Sequence, residues 1–255
     1  MHIKEKFNLT GKVAIITGAS KGIGRAIAEA LGQCGARVVV SSRKQEAVDA
    51  VAAELKAQQI EALAVAAHMG QEEDIQRLAS ETRKHFGRID ILVNNAASNP
   101  VFGPIADTNP AAFDKIIGVN LRGPFLLSNE VYPDMRRQGG GSIIHISSVE
   151  GLTPSPGLGI YSVSKASLLM LTKAQAREWG SDGIRVNAIC PGLIQTKFSR
   201  ALWENADVLQ HFLGKTALQR IGQPEDIAGL AVFLASDAAV YCTGSMFIAD
   251  GGYLI

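Results

Sequence analysis

Cysteine is scarce in this 255-residue sequence: Cys34, Cys190 and Cys242 stand far apart, without CxxC or metal-ligand spacing. An odd, dispersed set excludes a disulfide framework and a thiolate metal site, and it fits a reducing compartment. No charge of either sign dominates, with 25 Lys+Arg against 24 Asp+Glu. That balance gives no pull towards nucleic acid or an anionic membrane surface. No apolar run approaches the roughly 18 residues of a membrane-spanning helix. Met1–Leu9 is polar and charged, without the apolar stretch of a secretory signal. The sequence closes on Gly252-Tyr253-Leu254-Ile255 rather than on a peroxisomal Ser-Lys-Leu address. A cytoplasmic protein is expected. Internal repeats, low-complexity stretches and interdomain linkers are also missing, so one domain over residues 1–255 is expected. Its length is ample for a sizeable core.

Glycine turns between short apolar runs are what the sequence has instead. Lys12-Val13-Ala14-Ile15-Ile16-Thr17 is β-branched and reads as a buried strand. It empties into Gly18-Ala19-Ser20-Lys21-Gly22-Ile23-Gly24, and a helical pattern through Leu31 follows. Strand, glycine turn and helix in that order form a phosphate-binding arrangement. Glycines admit close backbone approach, and the helix start offers free N–H groups to an anion. The spacing is GxxxGxG, not the commoner GxGxxG; a turn chosen only for sharpness would need neither flanking element.

Ala36–Val40 gives a second strand. An NAD enzyme commonly carries an acidic residue at the end of this strand for the ribose 2′-hydroxyl. Here Ser41-Ser42-Arg43-Lys44 stands instead. A carboxylate would repel a 2′-phosphate, whereas Arg43 can grip one through two parallel hydrogen bonds. Lys21 can reach the same group. The pattern favours NADP(H) over NAD(H).

Helical patterns over Gln45–Gln58 and Gln71–Phe86 alternate with strands at Ile60–Ala67 and Ile89–Val93. This alternation predicts an α/β fold: one parallel, doubly wound sheet with right-handed crossovers and ligands past the carboxyl ends of its strands. His68, at the end of the third strand, reads as a packed or capping residue with at most an adenine contact. Asn94 and Asn95 close the fourth strand, where they can tie neighbouring strands and line a cofactor trough. Asn109-Pro110 opens a long helical stretch through Met135. Asn120, amid its apolar residues, is either a satisfied core amide or a kink that holds a relay water with a freed carbonyl. Ser142–Ile146 is a strand ending at Ser147-Ser148, and Ile184–Ile189 another leading to Pro191-Gly192 and Thr196. Residues 196–216 read as a lid. Pro224–Leu234 is a helix and Met246–Asp250 a closing strand, the seventh of about seven.

The stretch Tyr161-Ser162-Val163-Ser164-Lys165 opens a helical run through Trp179. Four residues apart on a helix, Tyr161 and Lys165 share a face. A phenol titrates near about 10, too high for acid–base work at neutral pH, and a neighbouring ammonium is expected to lower it. Such a pair also occurs on solvated helix faces, so the other motifs decide its meaning. The loop Thr153–Gly157 brings Ser148 and Tyr161 to one rim.

Taken together, these motifs resemble the short-chain dehydrogenase/reductase family along nearly the whole sequence. The resemblance rests on Thr17-Gly18 with Gly22 and Gly24, Asn94-Asn95-Ala96, Asn120, Ser148, Tyr161 with Lys165, and Pro191-Gly192 with Thr196. It implies a Rossmann-type sheet and hydride transfer between a nicotinamide and a carbonyl carbon. Tyr161 is then the general acid/base, with Lys165 lowering its pKa and holding the nicotinamide ribose. Ser148 binds the substrate oxygen, and Asn120 anchors the relay water.

The implied cofactor residues are Gly18, Ser20, Lys21, Gly22, Ile23 and Gly24 at the glycine turn, then Ser42 and Arg43. His68 and Met69 follow by the adenine, and Asn95 and Ala96 in the trough. Tyr161, Lys165, Pro191, Gly192, Ile194 and Thr196 meet the nicotinamide end. A substrate pocket is expected from Ser98, Phe102, Glu150, Leu193 and Trp203, apolar through Val101, Phe102, Leu193 and Trp203. Within the family the sequence is similar to the NADPH-dependent carbonyl/retinal reductases, through Ser41–Gln45, His68–Gly70, Asn95–Pro100 and Pro191–Thr196. It departs from the wider family in His68, where Asp is usual, and Ala97, where Gly is usual. A homotetramer paired through helices such as Tyr161–Trp179, with its stripe of Ala166, Leu169, Met170 and Ala174, is also implied.

Two alternatives stand beside this one. A 3-oxoacyl-thioester reductase acting on a carrier protein would need a basic docking patch, for which Arg122, Arg136 and Arg137 are candidates. A regulator that binds NADPH without chemistry would have no need of the Tyr161 and Lys165 pair.

Overall fold

In the first strand, β1 (Val13–Thr17), neighbouring residues pack to opposite sides. Val13 and Ile15 join one hydrophobic cluster, Ala14 and Ile16 the other. That two-sided burial is what a strand covered by helices on both faces requires. The structure, a computed structural model, describes residues 2–255, so Met1 and its share of the polar opening segment lie outside the described residues.

Six further strands follow: β2 (Arg37–Ser42), β3 (Ala62–Ala66), β4 (Ile91–Asn94), β5 (Gly141–Ile146), β6 (Ile184–Pro191) and β7 (Met246–Ala249). All seven pair in parallel, in the order β3-β2-β1-β4-β5-β6-β7. The expected doubly wound sheet is present, and its order reverses between β1 and β4. A crevice opens at such a reversal, past the carboxyl ends of the strands.

One face is covered by α1 (Gly22–Gln33), α2 (Gln45–Ala57) and α9 (Pro224–Ala235), and their Ile27, Leu31, Val51, Leu55 and Ile227 are buried there. The other face is covered by α3 (Glu72–Phe86), α5 (Gly123–Arg137) and α6 (Gly159–Trp179), through Ile75, Leu78, Leu127, Val131 and Ala176. Acidic residues Glu72, Glu73 and Asp74 open α3 and basic ones close it, in the sense the helix dipole favours.

The long helical stretch expected from Asn109 is two helices joined by a wide turn. Asn109 caps α4 (Pro110–Ile117) by accepting the Ala112 N–H at 2.9 Å. Residues Gly118–Arg122 form a π-helical turn that runs directly into α5. Asn120 lies within it, at the position where a kink is expected. Residues 196–216, expected as a lid, contain two short helices, α7 (Arg200–Trp203) and α8 (Ala206–Lys215). The segment is tethered at both ends: the Trp203 indole donates to the Thr196 carbonyl at 3.0 Å, and Phe212 stacks on Tyr253 at 4.6 Å between ring centroids. Among the described residues, no helix is long and apolar enough to cross a membrane, and no group of His, Cys, Asp or Glu could hold a metal ion.

Behind the rim, His145 of β5 is fully buried between Asn94 and Gln175. The Asn94 amide donates to the ring at Nδ1 (3.2 Å) and to Ser128 Oγ, so Nε2 carries the proton and donates to Gln175 Oε1 at 2.9 Å. This leaves the Gln175 amide nitrogen as a buried donor without a partner. A second ring proton would face the Asn94 amide hydrogens. Burial, with a smaller push from the Lys165 charge and against the Gln175 hydrogen bond, lowers the imidazole to about 4 from 6.5. Between those two values the unfolded chain binds a proton that the folded protein refuses, so stability falls as pH falls through that window. Urea unfolding should therefore show a loss of about 2 kcal/mol from this group between pH 7 and pH 5. A His145→Gln variant should lose that much less over the same interval, and equal losses would mean that the ring protonates inside the fold.

Candidate active site

At the sheet's reversal, β1 runs into Gly18, which takes a φ of +66°, and α1 starts at Gly22 without a side-chain cap. A Cβ at Gly24 would collide with the Asn95 amide and the Gly18 carbonyl, so this turn packs closely only because it lacks side chains. Asn95 donates to the Thr17 and Gly18 carbonyls at 2.8 and 3.2 Å, while its own N–H donates to Thr17 Oγ1 at 3.0 Å. It ties β4 to β1, the structural role expected of it. An uncapped helix start behind a glycine turn, at the crevice, fits a dinucleotide's pyrophosphate. Ser20 and Ile23 flank it, both half-buried.

Ser42 ends β2, and Arg43 and Lys21 are exposed beside each other's loops with no ion pair among the described residues. The Ser41 hydroxyl is buried there without a partner. His68 turns its ring back on its own loop, accepting the Gly70 N–H at Nδ1 (3.0 Å), so it is a loop cap first. Met69 packs its side chain into the core and offers the crevice only its backbone.

Further along the rim, β5 and α6 bring Ser148, Tyr161 and Lys165 together. The Ser148 hydroxyl lies near enough to the Tyr161 phenol to lower its proton affinity. Lys165 is 2% exposed and donates from Nζ to the Ile146 carbonyl at 2.7 Å. Close approach is possible because Gly151 has no Cβ; one would strike the backbone of Lys165 at 2.9 Å. Ser147 Oγ adds a bond to the Lys165 carbonyl at 3.0 Å. Asn120 completes the group as a satisfied amide. Its Oδ1 accepts the Ser98 N–H at 2.7 Å, and its Nδ2 donates to the Ser98 carbonyl and to Ser164 Oγ, each at 3.0 Å. Ser164 in turn donates to the Tyr161 carbonyl at 2.6 Å. Both expectations for Asn120 hold in part: the amide is saturated, and it sits at the wide turn.

The expected electrostatics of the pair need correction. Burial pushes the Tyr161 phenol well above its usual range, the Ser148 hydroxyl pulls it down, and the Glu150 charge raises it further. Lys165 lies beside the ring, 5.6 Å from its centroid, with its amine committed to a strand carbonyl. Burial holds that amine down at about 8, opposed by Cys190. Burial is the largest cause of the shift for both groups.

Of the expected pocket residues, Phe102 is exposed and its ring covers Gly157, and Ser98 is fixed by Asn120. Phe198, which sequence reading assigned only to the lid, faces Tyr161 at 6.0 Å between rings. Leu193 and Ile194 are buried, and Pro191-Gly192 continues β6 towards them. A cavity of about 500 Å3 lies behind the Gly192–Ile194 turn, lined also by Leu218 and Arg220, and none of the four central residues borders it. Trp203 reaches Thr196 through its indole, and the Thr196 methyl lies against Gly22, so the first short helix after β6, Thr196 and the glycine turn are in contact. The Glu150 carboxylate is taken up by Ser155 and Ser162. Sequence reading missed these serines and Ser164; Ser162 and Ser164 are signalled only by their place within one turn of Tyr161, and Ser155 lies in the loop before the helix. The three candidate docking arginines each hold an ion pair: Arg122 with Glu72, Arg136 with Asp182 and Arg137 with Asp134.

Comparison with known proteins agrees with this geometry. A family model described as enoyl-(acyl carrier protein) reductase matches residues 18–254. The chain is 44% identical over 244 residues to human dehydrogenase/reductase SDR family member 4, covering 96% of this chain and 88% of that protein. Its fold is similar to that of a 7α-hydroxysteroid dehydrogenase solved with NADH and 7-oxo glycochenodeoxycholic acid, at TM-score 0.95 and 35% identity, over 99% of this chain and 98% of the other. It is also similar to a gluconate 5-dehydrogenase from Burkholderia cenocepacia J2315 in complex with NADP and tartrate, at TM-score 0.95 and 31% identity, over 99% and 98%. By the family model over residues 18–254 and by these relatives, the chain belongs to the short-chain dehydrogenase/reductase family of NAD(P)-dependent oxidoreductases.

Proposed function

We propose that the protein is an NADP(H)-dependent oxidoreductase that reduces a ketone or aldehyde, or oxidises the matching alcohol, with Tyr161 as general acid/base. The observation that carries this reading is the meeting of Ser148, Tyr161 and Lys165 on one rim, with the buried Lys165 amine 5.6 Å from the centroid of the Tyr161 ring. When bound in the crevice, the nicotinamide supplies the hydride. Every other part of the reaction falls to the chain. A phenol held above its usual range is fully protonated at neutral pH, which is the form that can give a proton to a carbonyl oxygen. Ser148 donates a hydrogen bond to that oxygen as charge builds on it. The phenolate left behind faces the ammonium of Lys165, and the Asn120–Ser164 contacts hold the start of α6 in register.

Preference for NADP(H) is supported by Arg43 and Lys21, both exposed, unpaired among the described residues and free of a nearby carboxylate at the end of β2. Solved relatives carry NADH in one case and NADP in another, so this chain's own cations decide. A cytoplasmic homotetramer is part of the same reading. On α6, Leu169 turns into the core, whereas Val163 and Met170 point outward at 46% and 63% exposure. Phe113 and Phe125 lie exposed on α4 and α5. Such side chains suit an isologous contact between copies.

Tyr161→Phe should lower kcat by at least about a hundredfold while NADPH still binds with unchanged affinity by fluorescence titration; near-normal turnover would remove the phenol from the reaction. For Arg43→Ala, the ratio of kcat/KM for NADPH over NADH should drop about tenfold or more, the worth of a charge-assisted contact. An unaltered ratio would mean that the 2′-phosphate is gripped elsewhere. Sedimentation should give a tetramer's mass for the wild type and a smaller species for Met170→Asp, and a wild-type monomer would refute the assembly.

A further inference from the structure

Glu150 meets the reacting groups by two routes. Its backbone N–H donates to Ser148 Oγ at 3.1 Å. Its carboxylate accepts from Ser155 N–H at 2.8 Å, Ser155 Oγ at 2.6 Å and Ser162 Oγ at 2.9 Å. Ser162 is 5% exposed and directly follows Tyr161 in α6. One residue therefore grips the turn that carries Ser148, the loop between the elements, and the helix turn that carries Tyr161. Its partners are hydroxyl and amide groups only, and it forms no ion pair among the described residues. The charge thus stays uncompensated and half-buried, where water screens it poorly.

We propose that Glu150 is a positioning residue that holds Tyr161 beside Ser148 through this serine clamp and sets a negative charge near the phenol. The inference rests on the acid–base reading of Tyr161 given above. The groups that face the phenol are few: Ser148 and Glu150 from the end of β5, Lys165 from α6, and the uncharged Phe198 from the segment after β6. Behind Lys165 stand Cys190 of β6 and His145 of β5. Glu150 acts on Tyr161 in the direction that opposes ionisation. Reduction needs the phenol protonated and oxidation needs it ionised. A fixed carboxylate therefore leaves reduction at neutral pH unchanged and moves oxidation to more alkaline conditions.

The test uses the full chain with NADP+ and a panel of secondary alcohols, together with ultraviolet difference titration of tyrosinate, which needs no substrate. Glu150→Gln should move the rise of the oxidation rate, and the Tyr161 tyrosinate step assigned by subtraction of Tyr161→Phe, to lower pH. Glu150→Asp should restore the wild-type position of both. Glu150→Ala and Ser162→Ala should each lower kcat about tenfold or more through misplacement of Tyr161, with the KM for NADP+ unchanged. Identical tyrosinate steps in Glu150→Gln and wild type would overturn the electrostatic role, and wild-type kcat in Ser162→Ala would overturn the clamp. If Glu150→Ala does not fold, Ser162→Ala and Glu150→Gln still decide both roles. An active Tyr161→Phe would instead refute the proposed reaction, and the tyrosinate titration would still report whether Glu150 acts on the phenol.

Discussion

An ammonium buried at the sheet's rim without a carboxylate partner is the constraint around which the site is arranged. Lys165 has a strand carbonyl for its proton at 2.7 Å and an aromatic face 5.6 Å away, and little else. Burying such a charge is expensive, and its held-down pKa of about 8 is the direct expression of that cost. His145, one residue before the carbonyl that Lys165 uses, stays neutral chiefly through its own burial, and the ammonium adds a smaller push. Cys190 and Tyr161 are the nearby groups whose negative forms the ammonium would welcome. Holding that cation in place needs Ser147 on its own carbonyl and the missing side chain of Gly151 beneath it.

Burial moves the two central groups in opposite directions on the proton-affinity scale. It raises the acid and lowers the ammonium, so neither is helped by proximity as much as a solvated pair would be. What proximity supplies instead is geometry. Serine hydroxyls at 147, 148, 155, 162 and 164 link β5, the loop and α6 through contacts of 2.6 to 3.1 Å. Hydroxyls suit this task because they can both donate and accept without adding charge.

Much of the fold is legible in the sequence because its signals are local. The β-branched run before Gly18 is β1, and the alternation of apolar runs with helical patterns gives seven strands in a doubly wound order. The four central residues are legible too, since Tyr161 and Lys165 are fixed by helix spacing and Ser148 by the end of a strand. Other features depend on partners distant in the chain. His145 reads as one more residue in a β-rich run until Asn94 and Gln175 are seen on either side of it. Glu150 reads as a pocket residue until Ser155 and Ser162 claim its carboxylate. The stripe on α6 divides between core and surface because helix rotation, rather than composition, decides which apolar residue meets the sheet; Leu169 goes in and Met170 out. The sign of the Tyr161 shift escapes sequence reading for a related reason: spacing predicts who the neighbours are, and burial depth decides whether their charges prevail.

The wide turn at Gly118–Arg122 has a consequence for chain length. A π turn accommodates one residue more than the regular helix would, without breaking it. It works as a phase shifter, since each added residue rotates the downstream helix by roughly a hundred degrees at 3.6 residues per turn. Upstream of it α4 keeps its own facing, and downstream α5 lays Leu127 and Val131 on the sheet. Removing a single residue there would leave helix content almost untouched yet swing Asn120 away from Ser98 and Ser164. Helix α6 would then lose its tether to a loop more than 60 residues upstream in sequence, from Tyr161 back to Ser98.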